Sequence, residues 1–518
     1  MEKTKRLHLI IFALCSLLYF SWRIVFSLPF RDSVLSMILA IILLVTEIIG
    51  CFELIAHLAL SSFSVKRKKL ENLKGVPDVD ILVPTKGEDI SLLEETIKAC
   101  TEIRWPKEKK HIHLCDDAER EEVRELAEKY GAVYIARPEH DHAKAGNLNY
   151  ALQHTDSPLV AVFDADMCPR PEFLEKTVPY MLGGYGKRGE REIDPQAGFV
   201  QTPQCFRYED LFQKAFGGAG LLPNEQDYFY YSVEPSREHV NAVFMAGTNM
   251  LISRRALQDA GLFQTDTLTE DFATGIQIQK KGYQGYDLTE DLAFGEVPED
   301  LPTLIRQRRR WACGCIQTPK VTRILRSKEL SLKQKICYFL AILYWYFPVK
   351  RLLYLAGPVL FACFGFKVMR CDWRELCVFW LPYYLLSCHE IRYFSGNTRT
   401  AHLSAVYEMC LTPFLFLPVL GESIGLRHKV FEVTGRAGGK KWRSVYLLPF
   451  VLLILVHVWS IAMCVMNHLS PEYAFLFIWL IYNLYVCLKA FRFVLSCRKV
   501  RKIPVEHLKH ILGGSFIG

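Results

Sequence analysis

The sequence contains no C-x-x-C pair, and its nearest approach, Cys313 with Cys315, has a spacing that suits neither zinc nor a disulfide framework. The 17 cysteines are odd in number and scattered over apolar and polar stretches alike, so reduced core thiols are the simplest reading. The net charge is +8, yet Lys and Arg form no compact block, which excludes the basic footprint of a nucleic-acid binder. Internal repeats and low-complexity tracts are absent, so neither a solenoid nor a disordered array is in prospect. The basic start (Lys3, Lys5, Arg6) precedes an apolar run with no small-x-small cleavage site behind it, and a second apolar run follows at once. That pattern argues against a secretory signal peptide and for a membrane anchor.

What is abundant is apolar side chain. With 51% hydrophobic residues and 13% aromatics, the chain is too apolar for a soluble protein of this charge. A helix needs about 20 apolar residues to cross about 30 Å of hydrocarbon. Six stretches are expected to do so: 7–26, 34–60, 336–366, 377–392, 445–465 and 473–493. Glu47, Glu53 and His57 in the second are expected to face other helices. Basic clusters flank both outer ends of the first pair, Lys3 to Arg6 and Lys66 to Lys69, while the loop between them holds only Arg31 against Asp32. Because Lys and Arg stay inside, both ends, the large polar middle and the basic tail (Arg498, Lys499, Arg501, Lys502) are expected to be cytoplasmic. Lys367, Arg370 and Arg374 run against this rule. The excess charge then serves topology and contact with anionic lipid.

In the polar middle, short β-rich runs alternate with charged helical stretches. Residues 80–84, 111–115, 133–135 and 159–163 read as strands, and 90–100 and 119–130 as helices. This alternation predicts an α/β fold, a mainly parallel sheet with helices on both faces. Ligands in such sheets bind beyond the carboxyl ends of the strands, where Asp116, Asp117, Asp164 and Asp166 fall. The Gly- and charge-rich residues 183–194 are expected to form a surface loop. Residues 301–333 alternate basic and apolar side chains at near-helical spacing, as a helix in the plane of the membrane interface does.

Three clusters can carry chemistry. Asp164-Ala165-Asp166 follows a buried strand; alternation puts both carboxylates on one side of the chain, where they can hold a divalent ion bridging two phosphates. D-x-D alone is a weak signal, and its place after the strand gives it weight. Glu270 and Asp271 after Thr269 fit either a general base or ordinary acids in the first turn of a helix capped by Thr269. The run Gln307 to Trp311 fits either phosphate-binding arginines beside a flat ring for a sugar, or a basic stop at a lipid surface.

Their order and spacing resemble the processive, membrane-integrated glycosyltransferases of family 2, the catalytic subunits of bacterial cellulose synthases in particular. The pattern D, D-x-D, T-E-D, Q-x-x-R-W is present as Asp116/Asp117, Asp164/Asp166, Thr269-Glu270-Asp271 and Gln307-x-x-Arg310-Trp311. Lys144-Ala-Gly-Asn-Leu-Asn149, Val200-Gln-Thr-Pro203, Gly247-Thr-Asn249 and Phe431-Glu-Val-Thr434 also match, the last being similar to the family's gating loop. The likeness spans about residues 80–438. Four departures stand out: Thr85-Lys86-Gly87-Glu88 for T-Y-N-E, Gln204 for the His of Q-T-P-H, Ala246 for a Cys, and Gly435-Arg436-Ala437-Gly438 after the gating motif. The first three bear on linkage and sugar identity.

The resemblance implies a cytosolic GT-A (Rossmann-like) domain at 66–300 between a helix pair at 1–65 and later membrane helices at 336–395 and 443–495. Residues 301–335 would be the interfacial region with the Q-x-x-R-W motif, 396–442 an interfacial helix with the gating loop, and 496–518 a basic cytosolic tail. Thr85, Glu88, Asp116, Asp117, Lys144 and Asp164 would bind the nucleotide sugar and Asp166 the metal, Mg2+ or Mn2+. Asp271, Glu270 and Thr269 would be catalytic, with Asp271 as the base. Gln307, Arg308, Arg310 and Trp311 would face acceptor and diphosphate, and Phe431, Val433 and Thr434 would gate the site. The implied activity is processive, inverting polymerisation of a β-linked glucan from UDP-glucose, with export of the growing polysaccharide across the plasma membrane. A different β-linked product, mixed-linkage, capsular or amino-sugar, is the alternative. Accessory export subunits are compatible partners, and the short tail leaves no room for a cyclic di-GMP-binding PilZ barrel.

Overall fold

Runs of apolar, β-branched residues between charged helical stretches make strands that are buried on both faces, and the polar middle folds accordingly. The structure, a computed structural model, describes residues 2–61, 75–185, 191–426, 443–466, 471–498 and 502–505. The main sheet has seven strands, in the order Gln284–Asp287, Ala197–Gln201, Met250–Ser253, Leu159–Val162, Val79–Thr85, Lys110–Asp116 and Val133–Ala136. Every pairing is parallel except the two made by Met250–Ser253. This is the mixed sheet of a GT-A fold. Side chains alternate across it: Ile81, Val83, Leu114 and Ala161 pack with the helix Ile90–Glu102 on one face. On the other face, Leu82, Cys115, Val160 and Val162 pack with Ala143–Leu152.

Residues 183–194 depart from the expected loop. Leu182–Tyr185 pairs antiparallel with Arg191–Ile193. A Cβ on Gly183 would lie 3.3 Å from the Asp194 backbone, so the glycine that suggested a loop permits a close pairing instead.

Among the described residues, six helices are long and apolar enough to cross a membrane: Lys3–Val25, Val34–Leu60, Phe347–Phe364, Ala401–Ser423, Ser444–Met466 and Phe475–Ser496. It is a multi-pass membrane protein whose span count matches the sequence reading, although two members differ. The stretch 336–366 is two helices, Leu332–Tyr344 and Phe347–Phe364, with Pro348 in the first turn of the second, where a missing N–H costs nothing. The stretch 377–392 falls in a helical run interrupted by a π turn at Leu376–Trp380. In its place among the six stands Ala401–Ser423, from the region expected to hold an interfacial helix.

The acids of the second helix do face protein. Glu47 lies 3.3 Å from the fully buried Arg23, Glu53 is 2.7 Å from Lys350, and His57 meets the Ser232 hydroxyl at 3.4 Å. The loops expected on the outer side also meet, since the Arg370 N–H donates to the Ser27 carbonyl at 2.8 Å.

The helix Leu301–Thr322 was expected in the interface plane, but its middle, Ala312 to Thr318, is wholly buried. Two mixed cores hold it. Leu301 and Leu304 pack with Phe212, Met409 and Phe493, and Ala312 and Ile316 pack with Phe272, Tyr338 and Val419. Residues 502–505 return to the catalytic half: the Val505 N–H donates to the Arg207 carbonyl at 2.8 Å, and Lys502 lies 3.1 Å from Glu299.

Candidate active site

A cavity of 1020 Å³ opens beyond the carboxyl ends of the strands and continues between the membrane helices as far as Glu53, Tyr354 and Glu408. Every described residue to which the resemblance gives a catalytic, donor, metal or acceptor role lines it except Asp116. Phe431, Val433 and Thr434 lie outside the described residues.

At the sheet end, the Thr85 hydroxyl donates to Glu88 at 2.7 Å, and the Lys86 and Gly87 N–H groups donate to the same carboxylate at 2.7 and 3.1 Å. Burial pushes the Glu88 carboxyl up, but these three donors outweigh it and hold the group below its ordinary range. Asp117 sits among Arg137 at 2.5 Å, Lys86 at 3.0 Å and His140 at 3.3 Å, and is likewise lowered against its burial. Asp116 is a correction. Fully buried, it accepts from the Ala118 N–H at 3.2 Å, the Arg120 N–H at 2.7 Å and the Arg120 guanidinium at 3.3 Å. It shapes the turn after its strand, and Asp117 alone of the pair reaches the cavity.

The D-x-D acids follow the strand Leu159–Val162. Lys144, from the helix Ala143–Leu152, is hydrogen-bonded to Asp164 and donates to the Gly247 carbonyl at 2.7 Å. Burial would lower the Lys144 ammonium, yet Asp164 and Glu270 beside it raise it overall. The Asp164 N–H is held by the Thr248 hydroxyl at 2.9 Å. Asp166 is pushed up to about 7 by burial first, then by Asp164 and Glu88. Among the described residues it has no ion-pair partner. A half-buried carboxylate beside two others, without an ion-pair partner among the described residues, fits a divalent ion with oxygen ligands.

Glu270 and Asp271 begin the helix Glu270–Lys280, but Thr269 does not cap it with its side chain. Thr269 docks instead: its hydroxyl lies 3.3 Å from that of Thr318, and a Cβ on Gly314 would fall 2.6 Å from its methyl group. Thr269 thus packs against the helix Leu301–Thr322 while still lining the cavity. Asp271 is raised to about 7 by burial first and by Glu270 second, against the Phe272 N–H bond and the charges of Lys144 and Arg310. Gly247, at φ +86°, faces it so closely that a Cβ there would lie 2.5 Å from the Asp271 carboxylate.

The Gln-Arg-Arg-Arg-Trp run is wired within the protein. Arg308 donates to Glu225 at 2.6 Å and to Gln307 at 2.8 Å, and its guanidinium carbon lies 4.3 Å from the centre of the Trp311 ring. Two of its terminal N–H groups are thus taken by Glu225 and Gln307 while its face lies against Trp311, and Arg310 is an arginine whose charge reaches Asp271. Sequence reasoning missed Glu225, which follows a Gly- and Pro-rich stretch (Gly217, Gly218, Gly220, Pro223) resembling any loop. It also missed Gly314, whose only signal is a small residue one turn beyond Arg310. Glu225→Gln leaves the buried Arg308 without its counter-charge. The expected result is a roughly tenfold (~1.4 kcal/mol) rise in the KM for an added acceptor oligosaccharide with little change for the nucleotide sugar, read from initial-rate kinetics.

A family profile described as "Glycosyl transferase family group 2" matches residues 159–489. The chain is 30% identical over 502 residues to a cellulose synthase catalytic subunit (UDP-forming) of Pseudomonas fluorescens strain SBW25, covering 94% of this chain and 66% of that one. It is 32% identical over 428 residues to cellulose synthase 1 of Komagataeibacter xylinus, covering 82% of this chain and 27% of the relative's length. The chain thus spans under a third of that relative and less than two thirds of the other. A mannosyltransferase from Pyrobaculum calidifontis, solved with GDP-Man and Mn2+, shares the fold with a TM-score of 0.52 at 17% identity, over 75% of this chain and 99% of its own.

Proposed function

The chain belongs to glycosyl transferase family group 2, and we propose that it is a processive, inverting transferase that builds a β-linked glucan from UDP-glucose and feeds it into its own membrane helices. The observation that carries this reading is the continuity of one cavity, from Asp166 and Asp271 to Glu53, Tyr354 and Glu408 among the helices. A stop-and-release transferase has no use for such an exit. The proposed setting is the plasma membrane, with the catalytic half in the cytoplasm.

Asp166, with Asp164 beside it, would hold Mg2+ or Mn2+, which when bound offsets the charge of the diphosphate. Asp117, Thr85 and Glu88 form the donor end, and Lys144 fixes Asp164 against the Gly247 carbonyl. Asp271 takes the proton from the acceptor hydroxyl as that oxygen attacks the anomeric carbon from the face opposite UDP. Arg310 supplies positive charge as the diphosphate departs. Trp311, backed by Arg308, offers the flat face on which the end of the polymer stacks.

A second reading, a β-linked polymer other than cellulose, is favoured by two contacts. Lys86 stands 3.0 Å from Asp117 at the donor end, and the Gln204 amide donates to the Ala246 carbonyl at 3.3 Å. Both contacts use residues at which the sequence departs from the cellulose synthase pattern. Membranes containing the chain, given Mg2+ and labelled UDP-glucose, UDP-N-acetylglucosamine or UDP-galactose in turn, separate the readings. Glucose polymer fully degraded by a cellulase supports the first; polymer that resists it, or that forms from another donor, moves the product to the second. Folded protein that incorporates no donor overturns both.

A further inference from the structure

Away from the cavity, one cluster joins the first helix to the helix Leu381–Phe394. Glu390 is fully buried, and both its oxygens face the His8 ring, 3.0 and 3.2 Å from Nδ1. His389, on the exposed side, stacks over His8 with ring centres 5.6 Å apart, and one ligand atom from each of the three residues lies within 4.8 Å of the others. The Tyr393 ring stacks on both imidazoles, 4.6 Å from that of His8 and 6.0 Å from that of His389.

We propose that His8, His389 and Glu390 form a zinc-class metal site that clips the first helix to Leu381–Phe394. Zinc bonds to imidazole nitrogen and carboxylate oxygen at about 2.0–2.2 Å in a tetrahedron, so two of its ligand atoms stand about 3.3 Å apart. The His8–Glu390 spacing already meets that figure, and the exposed His389 ring closes the set by a change of rotamer. Two imidazoles and one carboxylate are a ligand set for zinc, cobalt or nickel and a poor one for magnesium or calcium, which take oxygen. A water completes the fourth position. The clip sits behind the cavity wall: Ile391, the next residue, lines the cavity, and the Phe394 carbonyl accepts from Ser232 of the catalytic half at 3.2 Å. Occupancy therefore bears on how firmly that wall is held.

The test uses full-length protein in detergent, stripped with a chelator and kept in excess Mg2+ with UDP so that the D-x-D acids are engaged. Co2+ is titrated by its visible absorption, and bound Zn2+ is counted by elemental analysis after desalting. The expected result is one equivalent of either metal with a tetrahedral cobalt spectrum. In His389→Ala, a surface change that keeps the buried pair, affinity drops at least tenfold, and His8→Gln loses the site. Metal retained equally by wild type and both variants, or no stoichiometric uptake by wild type, overturns the proposal and leaves His8 and Glu390 as a plain ion pair. Loss of polymer synthesis in every sample would strike the proposed function and leave the metal count unaffected.

Discussion

Replacing Asp271 with Asn is expected to reduce polymer synthesis about 10²- to 10⁴-fold, the range a positioned general base supplies. Asn keeps the shape and removes the proton acceptor. Folding should survive, and the sign can be worked out. Burial and Glu270 raise the folded-state carboxyl to about 7, so the stability lost to the acid grows as pH rises from its unfolded value of about 4 and is complete above about 7, where a neutral amide relieves it. Thermal unfolding of the variant at pH 8 should therefore match or exceed wild type. The same value shapes the pH profile. Because the base must be ionised, kcat/KM in wild-type membranes should rise about tenfold per pH unit below about 7 and level off above it. In Asp271→Asn the residual rate should lack that limb. A variant retaining wild-type synthesis would remove Asp271 from the chemistry.

Gly247→Ala should cost about 100-fold in kcat although it touches no substrate, since displacement of a reacting group by about 1 Å is enough for such a loss. Two independent demands fall on this glycine. Its φ of +86° is a conformation that side chains resist, and its missing Cβ leaves room for the Asp271 carboxylate 2.5 Å from where that atom would be. Its carbonyl also holds Lys144, so a shift here reaches Asp164 as well. The backbone strain adds about 1–2 kcal/mol of destabilisation. Combining the change with Asp271→Asn distinguishes displacement of the base from general damage. If the glycine acts by keeping Asp271 in place, the double variant is little worse than Asp271→Asn alone; additive losses would refute that explanation.

Much of this site was legible in the sequence because the chemistry falls where strands end. Asp164 and Asp166 were placed by the apolar run before them, and their cavity position follows from strand geometry. Asp116 and Asp117 could not be separated in that way: adjacent acids at a strand end point in different directions, and only the turn that Arg120 closes determines which one faces the cavity. Thr269 has a capping residue's identity and place, yet the close approach of Gly314 draws it into an interhelical contact that sequence spacing does not reveal. The arginine run carried a similar ambiguity. Its three guanidinium groups are equivalent on paper, and the acid that pairs with Arg308, Glu225, is 83 residues away. Among the helices, composition gave the number of spans but not the break at 345–346 or the length of Ala401–Ser423.

The mixed cores around Leu301–Thr322 have a mechanical meaning. Phe212 of the catalytic half stacks on Phe493 of the last helix with ring centres 4.5 Å apart, and Phe272, one residue beyond the base, packs in one cluster with Tyr338 and Val419. Among the described residues, these shared cores tie the elements around Asp271 to the membrane helices. Under the proposed function, a product would then advance along walls that are packed together with the site that extends it. Cutting between the halves would bare the apolar faces of Phe212 and Phe272 that this shared interior covers.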